Sequence, residues 1–70
     1  VRHGRQGGEA MTYHTSVALR RLANLDCALE DYQAFWEADD TTHALISAEH
    51  ARDNILAIRE ALDKIEAGLA

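Results

Sequence analysis

The fold is decided by residues 22–69, which read LANLDCALEDYQAFW, then EADDTT, then HALISAEHARDNILAIREALDKIEAGL. Apolar or small residues recur in alternating steps of four and three on both sides of the polar connection. In the first run they are Met11, Thr15, Ala18, Leu22, Leu25, Leu29, Tyr32 and Trp36. In the second they are Ala44, Ala48, Ala51, Ile55, Ile58, Leu62, Ile65 and Leu69. This a/d heptad spacing keeps one narrow stripe of a helix facing a partner helix.

The connection between the runs is too short for anything but a reversal of direction. The sequence therefore predicts an all-α antiparallel two-helix hairpin, with helix 1 over about 12–38, a loop over about 38–41 and helix 2 over about 42–67. The predicted seam between the helices is formed by Leu22, Leu25, Leu29, Tyr32, Trp36, Ile55, Ile58, Leu62 and Ile65. Because the connection lacks glycine, a tight turn requires an Asp in the left-handed conformation, or else a longer loop.

Composition supports a small helical protein and argues against several partners. The 70 residues include no proline, and the four glycines lie near the ends, so nothing in the interior forbids a helix. The formal charge of −5 disfavours nucleic acid and anionic membranes as partners. No apolar run approaches the ~20 residues of a membrane span. The single cysteine, Cys27, cannot form an internal disulfide, and we expect a cytoplasmic location.

Residues 1–10 differ from the rest of the chain in having three glycines and no hydrophobic period. They predict an irregular segment, for which two interpretations stay open. Residues 1–10 are a leader that precedes a native start at Met11, or they are a flexible N-terminal arm.

A two-helix hairpin leaves apolar side chains that its own seam cannot cover. A chain this short rarely gains more than ~3–5 kcal/mol from a single core. We expect a second hairpin to complete a four-helix bundle, most simply as a homodimer. The alternative is a helix supplied by a different protein. The candidate dimer or partner interface consists of Val17, Leu19, Ala28, Phe35, Leu45 and Leu56.

With its two heptad runs and the Ala38-Asp39-Asp40 bend, the chain resembles the Rop family of plasmid RNA-modulating proteins, whose hairpins dimerise into four-helix bundles. The resemblance implies the architecture. RNA binding of the Rop type is not expected, because the outward residues of helix 1 include Glu30, Asp31 and Glu37, which repel phosphate. The chain is equally similar in size and pattern to the hairpin co-chaperones of bacterial secretion systems, which cover an apolar helix of a partner.

No residue pattern predicts catalysis, a cofactor or a metal site. His43 and His50 are seven residues apart, too far for one helix to chelate a metal through both. Cys27 lies near Asp26, Glu30 and Asp31, and so lacks the cationic neighbour that activates a thiol. We therefore expect a non-enzymatic homodimeric adaptor or regulator. The alternative is a subunit or co-chaperone completed by the helix of a secretion- or phage-type partner.

Overall fold

A computed structural model describes the backbone of residues 2–69 and the side chains of residues 12–69. The chain forms two helices, α1 over Arg2–Glu37 and α2 over Thr41–Leu69. They lie side by side in opposite directions, since Arg21 is level with Asn54 while Phe35, near the loop, is level with His43. The hairpin is a rod of 56 × 15 × 10 Å. The predicted all-α helical hairpin is confirmed.

The helix α1 begins ten residues earlier than the sequence predicted. Its backbone is helical from Arg2, where an irregular segment was expected over 1–10. Once a helix is nucleated, each added residue gains a hydrogen bond, and a glycine costs about 1 kcal/mol without blocking propagation as proline does. The side chains of Val1 and Met11 lie outside the described part of the chain, and a native start at Met11 stays a prediction.

The reversal between the helices uses an aspartate where glycine is usual. Asp39 has φ 61°, the left-handed conformation that the sequence offered as one of two solutions for the turn. Its N–H donates to the carbonyl of Trp36 at 3.1 Å, and the N–H of Asp40 donates to that of Phe35 at 2.8 Å. These two bonds form a Schellman motif, which satisfies the last carbonyl groups of α1 and ends the helix.

The side chains buried between the helices are small. They are Ala28 on α1 and Ala44, Ser47, Ala51, Asn54 and Ala61 on α2. No large side chain among the described residues is fully buried. On α2 the buried positions recur in steps of three and four, a stripe neighbouring the one that the sequence predicted. Small residues on a contact line let two helix backbones approach closely.

The predicted seam residues are therefore divided by the structure. Leu25, Ile58 and Ile65 are half-buried, whereas the remaining six are exposed: Leu22, Leu29, Tyr32, Trp36, Ile55 and Leu62. The contact between the helices is formed mainly by small residues of α2 together with Ala28, while most of the large seam residues stay exposed. This differs from the predicted seam, because the heptad pattern marks the centre of the apolar stripe and not the line along which two helices touch.

Candidate protein-interaction surface

One long side of the hairpin is lined by large exposed apolar residues, which we call the apolar face: Leu22, Leu29, Trp36, Ile55 and Leu62. On α1 the three members are spaced by seven residues, and the two on α2 are also seven apart. Three of them follow directly after a buried residue of the contact line: Leu29 after Ala28, Ile55 after Asn54 and Leu62 after Ala61. In an antiparallel pair of helices, the residue that follows a contact residue lies on the same side of the hairpin in both helices.

Exposure of these residues is large for side chains of their size. Trp36 is 57% exposed, Leu22 53% and Leu29 51%. Next to the loop, the ring of Tyr32 stacks on that of Trp36, with centroids 6.3 Å apart and planes at 16°. The sequence placed this aromatic pair in the core of the hairpin. In the structure it forms the loop end of the apolar face.

The opposite side of the hairpin is polar. An open groove of about 370 Å³ lies there, lined by residues of both helices that include Asn24, Cys27 and Asp31 on α1 and His50 and Asp53 on α2. In the described part of the chain, no group of three or more His, Cys, Asp or Glu residues is arranged to hold a metal ion. The hairpin is thus two-sided, with one polar side and one apolar side.

Asn54 lines the polar groove and is also one of the buried residues between the helices. It is only 8% exposed, its Nδ2 donates to the carbonyl of His50 at 2.8 Å, and its Oδ1 accepts from Arg21 Nη1 at 3.4 Å. A buried amide needs such partners, because an unsatisfied polar group in the interior costs about 1–3 kcal/mol. The Arg21–Asn54 hydrogen bond also joins α1 to α2.

The residues that the sequence proposed for an interface fall into two groups. Ala28 is buried between the helices, and Val17 and Phe35 are half-buried there, with the Phe35 ring stacked on His43 at 5.1 Å. Leu19, Leu45 and Leu56 are exposed. Each of these leucines is nine residues from a buried position (Ala28, Asn54 and Ser47). Nine residues are about two and a half helical turns, so all three leucines lie on the outer sides of their helices.

At the start of α2 lies a helix cap whose histidine contact the sequence reasoning missed. Asp40 is the N-cap residue: its Oδ1 accepts from the His43 backbone N–H at 3.2 Å, and its Oδ2 is 2.7 Å from His43 Nδ1. The backbone N–H of His43, and then its ring, hold the pKa of Asp40 below its usual value. The signal was a histidine three residues after a capping aspartate, the position that Glu or Gln takes in a capping box.

Cys27 is exposed on the polar side. Within the described residues, neither helix has an apolar stretch sufficient to cross a bilayer. No protein-family model matches the chain, and no curated protein or solved structure is significantly similar to it.

Proposed function

We propose that this protein is a non-enzymatic protein–protein interaction module, a small adaptor or regulator that works as a homodimer in the cytoplasm. The apolar face pairs with the same face of a second copy, and together the two hairpins form a four-helix bundle. The observation that carries the proposal is the contrast between what the hairpin buries and what it exposes. Among residues 12–69, the buried apolar side chains are four alanines, while three leucines, an isoleucine and a tryptophan are exposed on one side.

Energetics favour a partner on this face. Alanine burial contributes little, because the hydrophobic gain scales with the apolar area removed from water, at about 25 cal/mol per Å². A stable interface covers about 800 Å² on each partner. Covering the apolar face gives the bundle the core that one hairpin lacks.

The second candidate function is a subunit or co-chaperone completed by a helix of a different protein. One observation favours it. Leu19 and Leu45 are each 62% exposed on the outer sides of their helices, at the outer edges of the apolar face. A partner that covered these leucines would bind the outside of the hairpin.

Solution mass measured by light scattering across a concentration series tests the proposal. We expect two chains for the wild type and one chain for the double variant Leu29→Gln/Leu62→Gln, which makes the apolar face polar. The matched control, Leu19→Gln/Leu45→Gln, removes the same number of leucines from the outer sides and should keep the mass of two chains. A weakly helical wild-type monomer would reject the homodimer and favour the foreign helix. If only the control variant lost association, the dimer interface would lie at Leu19 and Leu45 and not at the apolar face.

A further inference from the structure

We infer that the two hairpins of the dimer lie with their loops at the same end, because the charged edges of the apolar face fit each other only in that orientation. This inference rests on the proposed homodimer and adds which residues meet across it. A symmetric dimer uses the same surface twice, so the surface must be complementary to itself.

The two edges of the apolar face carry opposite charges. On the α1 edge, Asp26 lines a shallow groove together with Leu22 and Leu29. On the α2 edge, Arg52 lines a groove together with Glu49 and Ala48, and Ala48 is seven residues before Ile55 of the apolar face. Arg59 follows Arg52 by seven residues and so lies on the same edge. From Arg52 to Arg59 the α2 edge is therefore basic, with Glu49 on its loop side, while the α1 edge is acidic at Asp26.

Symmetry decides which edges meet. If the second hairpin is rotated by 180° about an axis parallel to the helices, both loops stay at one end and α1 of each copy faces α2 of the other. The acidic edge then meets the basic edge twice. If the loops lie at opposite ends, α1 faces α1 and α2 faces α2, so that Asp26 approaches Asp26 of the second copy and arginines approach arginines.

The positions of the residues along the rod agree with the dimer in which both loops lie at one end. Within one chain, Arg21 is level with Asn54 and Phe35 is level with His43. Asp26 therefore lies within about one helical turn of the level of Arg52. With both loops at one end, the second copy repeats these levels, and Asp26 of each hairpin reaches Arg52 of the other. Beyond Arg59 the α2 edge becomes acidic at Asp63 and Glu66, whereas residues 12–16 of α1 include neither aspartate nor glutamate.

The carboxylates in the half of the hairpin that contains the loop disfavour this orientation weakly. Between residues 27 and 51 there are six acidic residues and neither lysine nor arginine: Glu30, Asp31, Glu37, Asp39, Asp40 and Glu49. Bringing two such halves together is repulsive. However, exposed charges farther apart than about 8 Å are largely screened at physiological salt. The edge pairs are close to the covered face, where charge complementarity fixes the orientation of partners.

Charge reversal tests the pairing. The single variants Asp26→Arg and Arg52→Asp should each raise the dimer dissociation constant about tenfold, since each alters two symmetry-related edge pairs. The double variant Asp26→Arg/Arg52→Asp restores opposite edges and should return to near the wild-type value. Asp31→Arg, an equal change of charge in the polar groove, is the control and should have little effect. Absence of rescue in the double variant would overturn the edge pairing.

The distance between two spin labels provides a readout that does not depend on affinity. A label at Ala38→Cys in a Cys27→Ser background marks the loop, and Thr42→Cys serves as a second marker. Helices in contact are about 8–10 Å apart, so loops at one end should give distances below about 25 Å. Loops at opposite ends are separated by about the length of the 29-residue helix α2, roughly 43 Å.

A label on the native Cys27, on the outward polar side of each hairpin, gives a distance set by the width of the bundle in either orientation and so reports the dimer itself. A long loop distance together with a dipolar signal at Cys27 would overturn the inferred orientation and leave the homodimer intact. Absence of a dipolar signal at all three positions would reject the homodimer, and with it the orientation.

Discussion

At the scale of single residues, the hairpin depends on two consecutive aspartates with different tasks. Asp39 takes the left-handed conformation that closes α1, and Asp40 caps the free N–H groups that open α2. Asp and Asn tolerate these roles better than other residues that have a Cβ atom, because their short side chains hydrogen-bond to the local backbone. Two residues therefore end one helix and begin the next without a glycine.

The charge of Asp40 should make the stability of the hairpin sensitive to acid. Hydrogen bonds from His43 lower the pKa of Asp40 in the folded chain. A lowered pKa means that this stabilisation is present above the unfolded value of about 3.9 and is lost as pH falls through the folded value. In thermal melts followed by circular dichroism, Asp40→Asn should keep the capping bond and show a smaller loss of stability below about pH 4 than the wild type.

Asp40→Ala supplies the contrast, since it removes both the cap and the charge. It should melt below the wild type and below Asp40→Asn at neutral pH. Equal acid sensitivity of the wild type and Asp40→Asn would assign the acid response to carboxylates elsewhere in the chain.

At the scale of the helices, the sequence predicted the two elements and the loop well. Alternating four and three spacing and the absence of proline are local signals, and they indicated both helices and the reversal. The early start of α1 was missed, because three glycines in 1–10 argue against a helix statistically but do not prevent one.

The rotation of each helix about its axis could not be derived from the same pattern. In a chain that buries one broad apolar stripe, the heptad positions mark the middle of the stripe. The line of contact within the hairpin lies at the edge of that stripe, where Ala51 and Ala61 allow close approach. Which edge is used depends on what covers the rest of the stripe, and that information lies outside a single helix. Residues such as Leu22 and Trp36 were therefore predicted inside the hairpin and found on its surface.

The role of small residues on the contact line can be tested at Ala51, which is 4% exposed. Ala51→Leu forces a large side chain between the helices and should lower the free energy of unfolding by about 1–3 kcal/mol, because a close-packed contact cannot absorb added volume. The control is Ala23→Leu on the exposed surface of α1, expected to change stability by less than about 0.5 kcal/mol. Denaturant unfolding measures both, and equal effects at the two sites would contradict close packing at Ala51.

At the scale of the whole molecule, one long side of the rod carries the polar groove and the other carries the apolar face. The polar side carries the groove around Asn54 and stays accessible when the apolar face is covered. In the proposed dimer the two polar sides lie outward, on opposite sides of the bundle, and offer two equivalent surfaces to further partners. Folding and association are then coupled, since the five large side chains of the apolar face are covered only when two chains meet.

Such coupling predicts that the melting temperature depends on protein concentration. Unfolding enthalpy is about 0.7 kcal/mol per residue near 60 °C, which for two 70-residue chains gives about 100 kcal/mol. Mass action then raises the melting temperature of the dimer by roughly 5 °C for each tenfold increase in concentration. Leu29→Gln/Leu62→Gln should melt at a lower temperature with little dependence on concentration. A wild-type melting temperature that is constant from micromolar to millimolar protein would mean that the hairpin folds as a monomer. Its stability would then have to come from contacts within one chain.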